Sequence, residues 1–190
     1  MCIRDRTQRQ ALLLAVPLFL VAACSDGDEE PSGTKDSGST AASTEAVEID
    51  YPEEGVDLVD RPDLPGVYQR GLQTYVDFER GRRLAARDGK IGRLLSFNAT
   101  SGVVDPYRQA VRSLDATAAY DGDVVIEFLD VQTRDSLLRV DICVDATGLQ
   151  VPAAAPALLG EATREPQRID VTNIEGLWRV TRAEPVDGSC

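Results

Sequence analysis

The sequence contains no histidine. Without this residue the chain cannot form a Ser-His-Asp triad, a Cys-His pair, an HExxH zinc site or any site with histidine as general base. Its four cysteines, Cys2, Cys24, Cys143 and Cys190, include no CxxC pair, so the usual signals of structural zinc and thioredoxin-like chemistry are missing as well. We therefore expect neither a metal nor another cofactor.

Positive charge is also scarce, and the formal net charge is -12. Most of the excess negative charge lies in residues 25–60, which hold 12 acidic residues and one lysine. Residues 61–190 are nearly balanced, with 19 acidic and 16 basic residues. Because no basic stripe is present to follow a phosphate backbone, we do not expect nucleic-acid binding.

The chain has one long hydrophobic run, the thirteen uncharged residues 11–23. As a helix it would span about 20 Å, short of the ~30 Å hydrocarbon core of a bilayer. It follows Arg4, Arg6 and Arg9 and ends in small residues. A basic start, a short apolar centre and a small-residue end are typical of a signal peptide, which we assign to residues 1–23.

The end of this segment, Val21-Ala-Ala-Cys24, resembles the bacterial lipobox. This motif predicts cleavage before Cys24 and attachment of diacylglycerol to its thiol, which would hold the protein on the extracytoplasmic face of a cell membrane. The alternatives are an ordinary signal peptide with a chance cysteine, or a transmembrane anchor. The acidic residues that follow at once, 26–30, argue against the anchor. Residues 1–6 resemble translated sequencing adapter, so we give Cys2 no role.

Residues 24–60 are interpreted as the lipidated cysteine and an acidic tether. From residue 25 to about residue 48 the segment is rich in Ser, Gly, Thr, Ala, Asp and Glu and has no aromatic residue, so we expect disorder. A flexible coil of roughly 36 residues has a root-mean-square reach of about 30 to 36 Å. It would serve as a spacer between membrane and domain, unless it is simply unselected sequence.

Residues 61–190 are predicted to form one domain that begins with helices. A helix is expected over residues 66 to about 83, with one stripe marked by Tyr68, Leu72, Tyr75 and Glu79. Four arginines lie off that stripe: Arg70, Arg80, Arg82 and Arg83. We expect them on a solvated face, because acidic residues interleave them, with contact to anionic lipid or wall polymer as the alternative. Shorter helices are expected near residues 91–98 and from Asp105-Pro106 onward, where aspartate would be the N-cap and proline the first helical residue.

The second half of the domain changes to a period of two. Strands are predicted at residues 124–131, 138–144, 168–174 and 177–184, the last two joined by a turn at Glu175-Gly176. In the second strand, aliphatic residues alternate with polar ones and Cys143, which predicts one buried and one polar face. Helices followed by a meander of strands indicate an α+β fold, with helices packed on one side of an antiparallel sheet.

Three features together resemble small lipoproteins of actinobacteria with a cystatin-like or NTF2-like domain. They are the segment Asp141-Ile-Cys-Val-Asp145, the strand Gly176-Leu-Trp-Arg-Val180 and the final Cys190. The resemblance covers about residues 63–190 together with the lipobox and tether. It implies that the helices pack in the concave side of a curved sheet, so that the domain has the form of a cone. It carries more information about the location of the protein than about its activity.

Cys143 and Cys190 are the clearest candidates for a disulfide, because export would place them in an oxidising compartment. The C-terminal tail would have to cross the sheet to reach the polar face of the second strand. Two free thiols are the alternative. Neither cysteine has a neighbouring histidine or CxxC partner, so the expected role is structural.

Two classes of function follow from these observations. The first is a non-catalytic binding or accessory module of the cell envelope, which meets an unknown envelope protein or a small ligand. The alternative is an isomerase-like or cyclase-like enzyme, which needs a carboxylate and a hydroxyl inside the cone. We favour the first class and assign no catalytic residue. The candidate carboxylates and hydroxyls have no spacing that distinguishes them from solvated groups. These candidates are Asp141, Asp145, Glu127, Tyr68, Tyr75 and Tyr120. Trp178 is expected in the core rather than in a ligand platform.

Overall fold

The computed structural model describes residues 49–115 and 120–190, which belong to one compact unit. The predicted signal peptide 1–23, Cys24 and the tether up to residue 48 lie outside the described residues. Within the described ranges, no helix is long and apolar enough to cross a membrane.

A five-stranded mixed sheet forms one layer of an α+β fold. Its strands, in spatial as well as chain order, are β1 (Val56–Val59), β2 (Val124–Arg134), β3 (Leu137–Asp145), β4 (Arg164–Ile174) and β5 (Leu177–Pro185). The last four form the predicted antiparallel meander. The hairpin turn at Glu175-Gly176 is confirmed, and both residues have positive φ.

The sheet has a parallel edge strand that the sequence analysis did not include. β1 pairs with β2 in parallel, from Val56 opposite Val124 to Val59 opposite Glu127. Val56 is fully buried in the core. The folded part of the chain therefore starts before residue 61, and residues 49–60 are not part of a tether. The strand is only four residues long, too short to show a clear alternation among the surrounding acidic residues.

Three helices pack on one face of the sheet. They are α1 (Gly66–Asp88), α2 (Arg93–Asn98) and α3 (Ser101–Ser113). Helix α1 runs one turn beyond the predicted end near Arg83, because buried alanines continue its apolar face, and it stops at Gly89, whose φ is +62°. Gly81 allows α2 to pack closely against α1, since a Cβ at this position would collide with the backbone of Leu95.

The predicted start of α3 at Asp105-Pro106 is wrong, because the helix begins one turn earlier at Ser101. The N–H of Thr100 donates to the carbonyl of Val180 at 3.0 Å, which fixes the N-cap residue on β5. The carbonyl of Thr100 then accepts the N–H groups of Val103 and Val104. Asp105 lies inside the helix and forms an ion pair with Arg108 instead of capping. Pro106 is tolerated within the helix at the loss of one hydrogen bond.

The core lies between α1 and the sheet. On β3 the predicted alternation is confirmed: Leu138, Val140, Ile142 and Val144 are buried on the helix-facing side. Register shifts mark two β-bulges, one beside Phe128 in the β2–β3 pair and one beside Val171 in the β4–β5 pair. Bulges bend the strands that contain them.

Candidate binding site

The carboxylates that the sequence analysis considered as catalytic candidates all lie on the sheet face away from the helices. Asp141 accepts two hydrogen bonds from Arg168, at 2.7 and 2.9 Å. Arg164 bridges Glu127 and Asp145, with N to O distances of 3.0 and 3.3 Å. Together with the Arg139–Asp170 pair, these contacts form a ladder of cross-strand ion pairs. The three carboxylates therefore lie on the outer face of the sheet, paired with arginines, and not inside the fold.

The three candidate tyrosines are also separated. The Tyr68 hydroxyl donates to the Asp135 carbonyl at 3.1 Å, and the Tyr120 hydroxyl donates to the Pro156 carbonyl at 3.3 Å. Tyr75 is fully buried, and its hydroxyl has no hydrogen-bond partner among the described residues. Burial, assisted by the negative charge of Glu79, raises the pKa of Tyr75 well above its usual value. Trp178 lies in the core, with its ring 5.9 Å from that of Tyr68.

The predicted disulfide is present. Cys143 and Cys190 are bonded, with their Cα atoms 5.9 Å apart. The tail crosses the end of β4 on its way to β3, because the N–H of Val186 donates to the carbonyl of Pro166, the residue opposite Cys143. Cys143 thus lies on the polar face, as predicted, yet it is only 1% exposed.

A cavity of about 310 Å³ lies on the helix-facing side, at the end of the sheet where β3 finishes and β4 begins. Val144, Gln167 and Ala183 line its sheet wall, and Tyr107 lines it from α3. Its third side is the short 3₁₀ helix Ala157–Leu159 and the residues that follow it. The lining mixes apolar and polar groups and includes two charged side chains from α1.

These two charged residues, Arg82 and Arg83, are the main departure from the sequence analysis. We expected both on a solvated face, but they are only 6% and 3% exposed. Arg82 Nη1 lies 3.4 Å from a carboxylate oxygen of the fully buried Glu79. Arg83 has no such partner: all three of its guanidinium nitrogens are buried without a hydrogen-bond acceptor among the described residues.

The pKa values of the two arginines reflect this difference between a paired and an unpaired side chain. Burial is the largest single influence and would lower the pKa of Arg82, but Glu79 together with Tyr107 and Tyr75 outweighs it and raises that pKa. For Arg83, burial and then the positive charge of Arg82 lower the pKa to about 10. Arg83 therefore remains charged at neutral pH, in a place where that charge is poorly compensated.

Helix periodicity explains why both arginines point inward. Arg82 and Arg83 follow Glu79 by three and four residues, so all three share one side of α1. The signal was present in the sequence, because a glutamate in an otherwise apolar stripe needs a buried cation. Of the other two arginines, Arg70 is exposed as expected, while Arg80 is half-buried and contacts Glu54 at 2.7 Å.

Gly160 lies directly over the Arg83 guanidinium. A Cβ at this position would lie 3.2 Å from Arg83 Nη1, and the φ of +141° is one that glycine tolerates best. Both residues line the cavity, and all three guanidinium nitrogens of Arg83 are buried. Three acidic residues also contribute to the lining: Glu161, Glu165 and Glu184.

Comparison with models of known protein families gave no match, and comparison with curated proteins found no significant similarity. Across the described residues, no group of three His, Cys, Asp or Glu side chains is arranged to hold a metal ion. Function must therefore be argued from the cavity and from the signals at the start of the sequence.

Proposed function

We propose that this protein is a lipid-anchored, extracytoplasmic binding module that holds a small organic molecule without transforming it. The observation that carries this proposal is the cavity of about 310 Å³ between α1, α3 and the end of the sheet. Ligand cavities of proteins are typically about 300 Å³ or larger and combine apolar walls with a few polar groups. Apolar Val144, Ala183 and Leu158 and polar Gln167 and Thr163 supply such a lining.

The proposed location rests on the lipobox-like Val21-Ala-Ala-Cys24 and on the short apolar run before it. Lipid on Cys24 would anchor the protein, and the acidic segment up to residue 48 would separate the domain from the membrane. The disulfide between Cys143 and Cys190 agrees with an oxidising compartment.

We also propose that the fold is of the cystatin-like or NTF2-like kind. Support comes from the order of elements, helices before a four-stranded antiparallel meander, and from the two bulges that bend the sheet. Helix α1 lies against β3, β4 and β5, as a helix on the concave side of a curved sheet would. In this arrangement the cavity is the open end of the cone.

Membrane attachment is tested by fractionating cells that express the full chain. We expect the wild type with the membranes after a salt wash, and mass spectrometry should find diacylglycerol on Cys24. Cys24→Ala should be recovered in the soluble fraction, whereas Cys2→Ala should behave as the wild type. Membrane retention of Cys24→Ala would contradict the anchor.

Small-molecule binding is tested with the chain from residue 24 onward, carrying Cys24→Ser, in a ligand-observed NMR screen of small organic compounds. Ala183→Phe should abolish binding, because the larger side chain fills the cavity from β5. Ala153→Phe is the matched control, since Ala153 is exposed and does not line the cavity. If no compound binds the wild type, or if Ala183→Phe binds as well as it does, the cavity is not a binding site.

An isomerase-like or cyclase-like enzyme is the second candidate, and one observation favours it. Glu79 is a fully buried carboxylate with one oxygen free of hydrogen bonds among the described residues, four residues after the unpartnered Tyr75 hydroxyl. However, its other oxygen contacts Arg82, and Glu79 is not among the cavity-lining residues. A catalytic carboxylate would exchange carbon-bound protons of a bound ligand with deuterium from solvent. A binding module leaves them in place, so NMR in D₂O separates the two functions.

A further inference from the structure

We propose that Arg83 binds the negatively charged group of the ligand and that this ligand is a small organic monocarboxylate. The inference rests on the binding function proposed above and adds the chemical class of the ligand. It starts from an unsatisfied group: Arg83 is 3% exposed, lines the cavity, and has no acceptor for any guanidinium nitrogen among the described residues.

An arginine in this state is unusual because a guanidinium has five N–H donors and cannot lose its charge at neutral pH. Buried charges are normally paired, since removal from water is costly. The buried carboxylate on the same side of α1, Glu79, contacts Arg82 instead, at 3.4 Å. The described part of the protein therefore leaves one buried positive charge that an anion from the cavity would neutralise.

The charges of the three buried residues Glu79, Arg82 and Arg83 favour a ligand with a single negative charge. Glu79 is one negative charge against the two positive charges of Arg82 and Arg83, which leaves an excess of one. Glu161 and Glu165 add negative charge to the lining, whereas Glu184 is paired with Arg182 at 3.0 Å. A second anionic group on the ligand would meet these glutamates and be repelled, which disfavours dicarboxylates and dianionic phosphate.

The shape of the two partners favours a carboxylate as the anion. A guanidinium offers a planar fork that matches the two oxygens of a carboxylate. Gly160 packs against this fork, because a Cβ at its position would lie 3.2 Å from Arg83 Nη1 and 3.4 Å from Nη2. The rest of the lining suits an uncharged organic body, with Val144 and Ala183 as apolar contacts and Gln167 as a hydrogen-bonding group.

The test compares each carboxylate with its neutral amide. Acetate, 3-hydroxybutyrate and benzoate, the three amides, succinate and inorganic phosphate are titrated by calorimetry into the chain from residue 24 onward, carrying Cys24→Ser. At least one monocarboxylate should bind about tenfold or more tightly than its amide, as expected for a hydrogen bond to a charged group. Succinate and phosphate should bind more weakly than that monocarboxylate.

Variants then assign the effect to Arg83. Arg83→Met should lose the preference for the carboxylate over the amide, while Arg70→Met, an exposed position on the same helix, should keep it. Glu161→Gln should strengthen carboxylate binding, because it removes a repelling charge from the lining. Circular dichroism of each variant checks that it is folded.

The outcomes separate the two proposals. If an amide binds as tightly as its carboxylate and Ala183→Phe blocks both, the cavity is a binding site but the role of Arg83 is wrong. Tighter binding of phosphate or succinate would overturn the monocarboxylate class, and so would retention of the carboxylate preference in Arg83→Met. If none of these compounds nor any in the wider screen binds, the binding function itself fails.

Discussion

Replacing Arg83 with methionine should make the ligand-free protein more stable, contrary to what most core substitutions do. Methionine preserves the unbranched stem of the side chain and removes the guanidinium, whose nitrogens are buried without acceptors among the described residues. The substitution thus removes an uncompensated charge and leaves an apolar side chain against the same neighbours.

The size of the gain follows from the electrostatics of the site. Burial and the charge of Arg82 lower the pKa of Arg83 to about 10. At about 1.4 kcal/mol for each tenfold change in an equilibrium constant, this corresponds to about 3 kcal/mol against the charged form in the folded state. Part of that gain is lost because methionine is smaller than arginine and packs less well. We therefore expect the unfolding free energy to rise by about 1 to 3 kcal/mol.

Urea unfolding followed by tryptophan fluorescence measures this change, because the single tryptophan, Trp178, is buried in the core. Arg70→Met is the control, since an exposed substitution should alter the unfolding free energy by less than about 0.5 kcal/mol. Both are compared in the chain from residue 24 onward, carrying Cys24→Ser. A loss of stability in Arg83→Met relative to Arg70→Met would refute the reasoning, because it would mean that Arg83 is paired.

Three further predictions concern other contacts. Glu79→Gln should destabilise the fold by about 3 kcal/mol or more in the same urea assay, since buried Arg82 then lacks its counter-charge; an unchanged midpoint would contradict the assigned ion pair. Replacing Cys143 and Cys190 together with alanine should cost about 2 to 4 kcal/mol, because the unfolded chain regains a loop; equal stability of reduced and oxidised wild type would argue against this. Hydrogen bonds from Thr147 lower the pKa of Asp145, so its contribution is present above the ordinary aspartate pKa of about 3.9 and disappears as pH falls below it. Asp145→Asn should therefore be less stable than wild type at neutral pH but not in acid, and a difference that is independent of pH would exclude this linkage.

The elements with a strong sequence pattern were predicted well. The alternation along β3 is regular from Leu138 to Val144, and the Glu175-Gly176 turn between β4 and β5 is flanked by two apolar runs, so both matched the structure. The disulfide could be predicted because residues 61–190 contain only two cysteines, Cys143 and Cys190, and the signal-peptide pattern implies an oxidising compartment. Strand β3 and the hairpin turn could be predicted because their signals lie within a few neighbouring residues.

The features that were missed depend on contacts between distant parts of the chain. β1 is held by its pairing with β2, far away in sequence, and Val56 is buried only through that pairing. The start of α3 is fixed by the hydrogen bond from Thr100 to Val180, which overrides the local signal of Asp105-Pro106. The residues next to β1 and next to the start of α3 contain no pattern that predicts these long-range contacts.

The candidate site was missed for a different reason. The sequence pattern places the four arginines of α1 off its apolar stripe, but Glu79 precedes Arg82 and Arg83 by three and four residues and draws both inward. The cavity itself is formed by α1, α3, the sheet end and the 3₁₀ helix, and its existence depends on how these elements pack. The spacing of residues along the chain predicts which face of a helix is charged, but it does not predict whether a cavity lies next to that face.

The most direct test of the central claim is a crystal structure of the protein soaked with the monocarboxylate that binds most tightly. We predict that the ligand lies in the cavity between α1 and β5, with its carboxylate oxygens about 2.7 to 2.9 Å from guanidinium nitrogens of Arg83. A ligand bound with its carboxylate turned away from Arg83, or bound outside this cavity, would contradict the account.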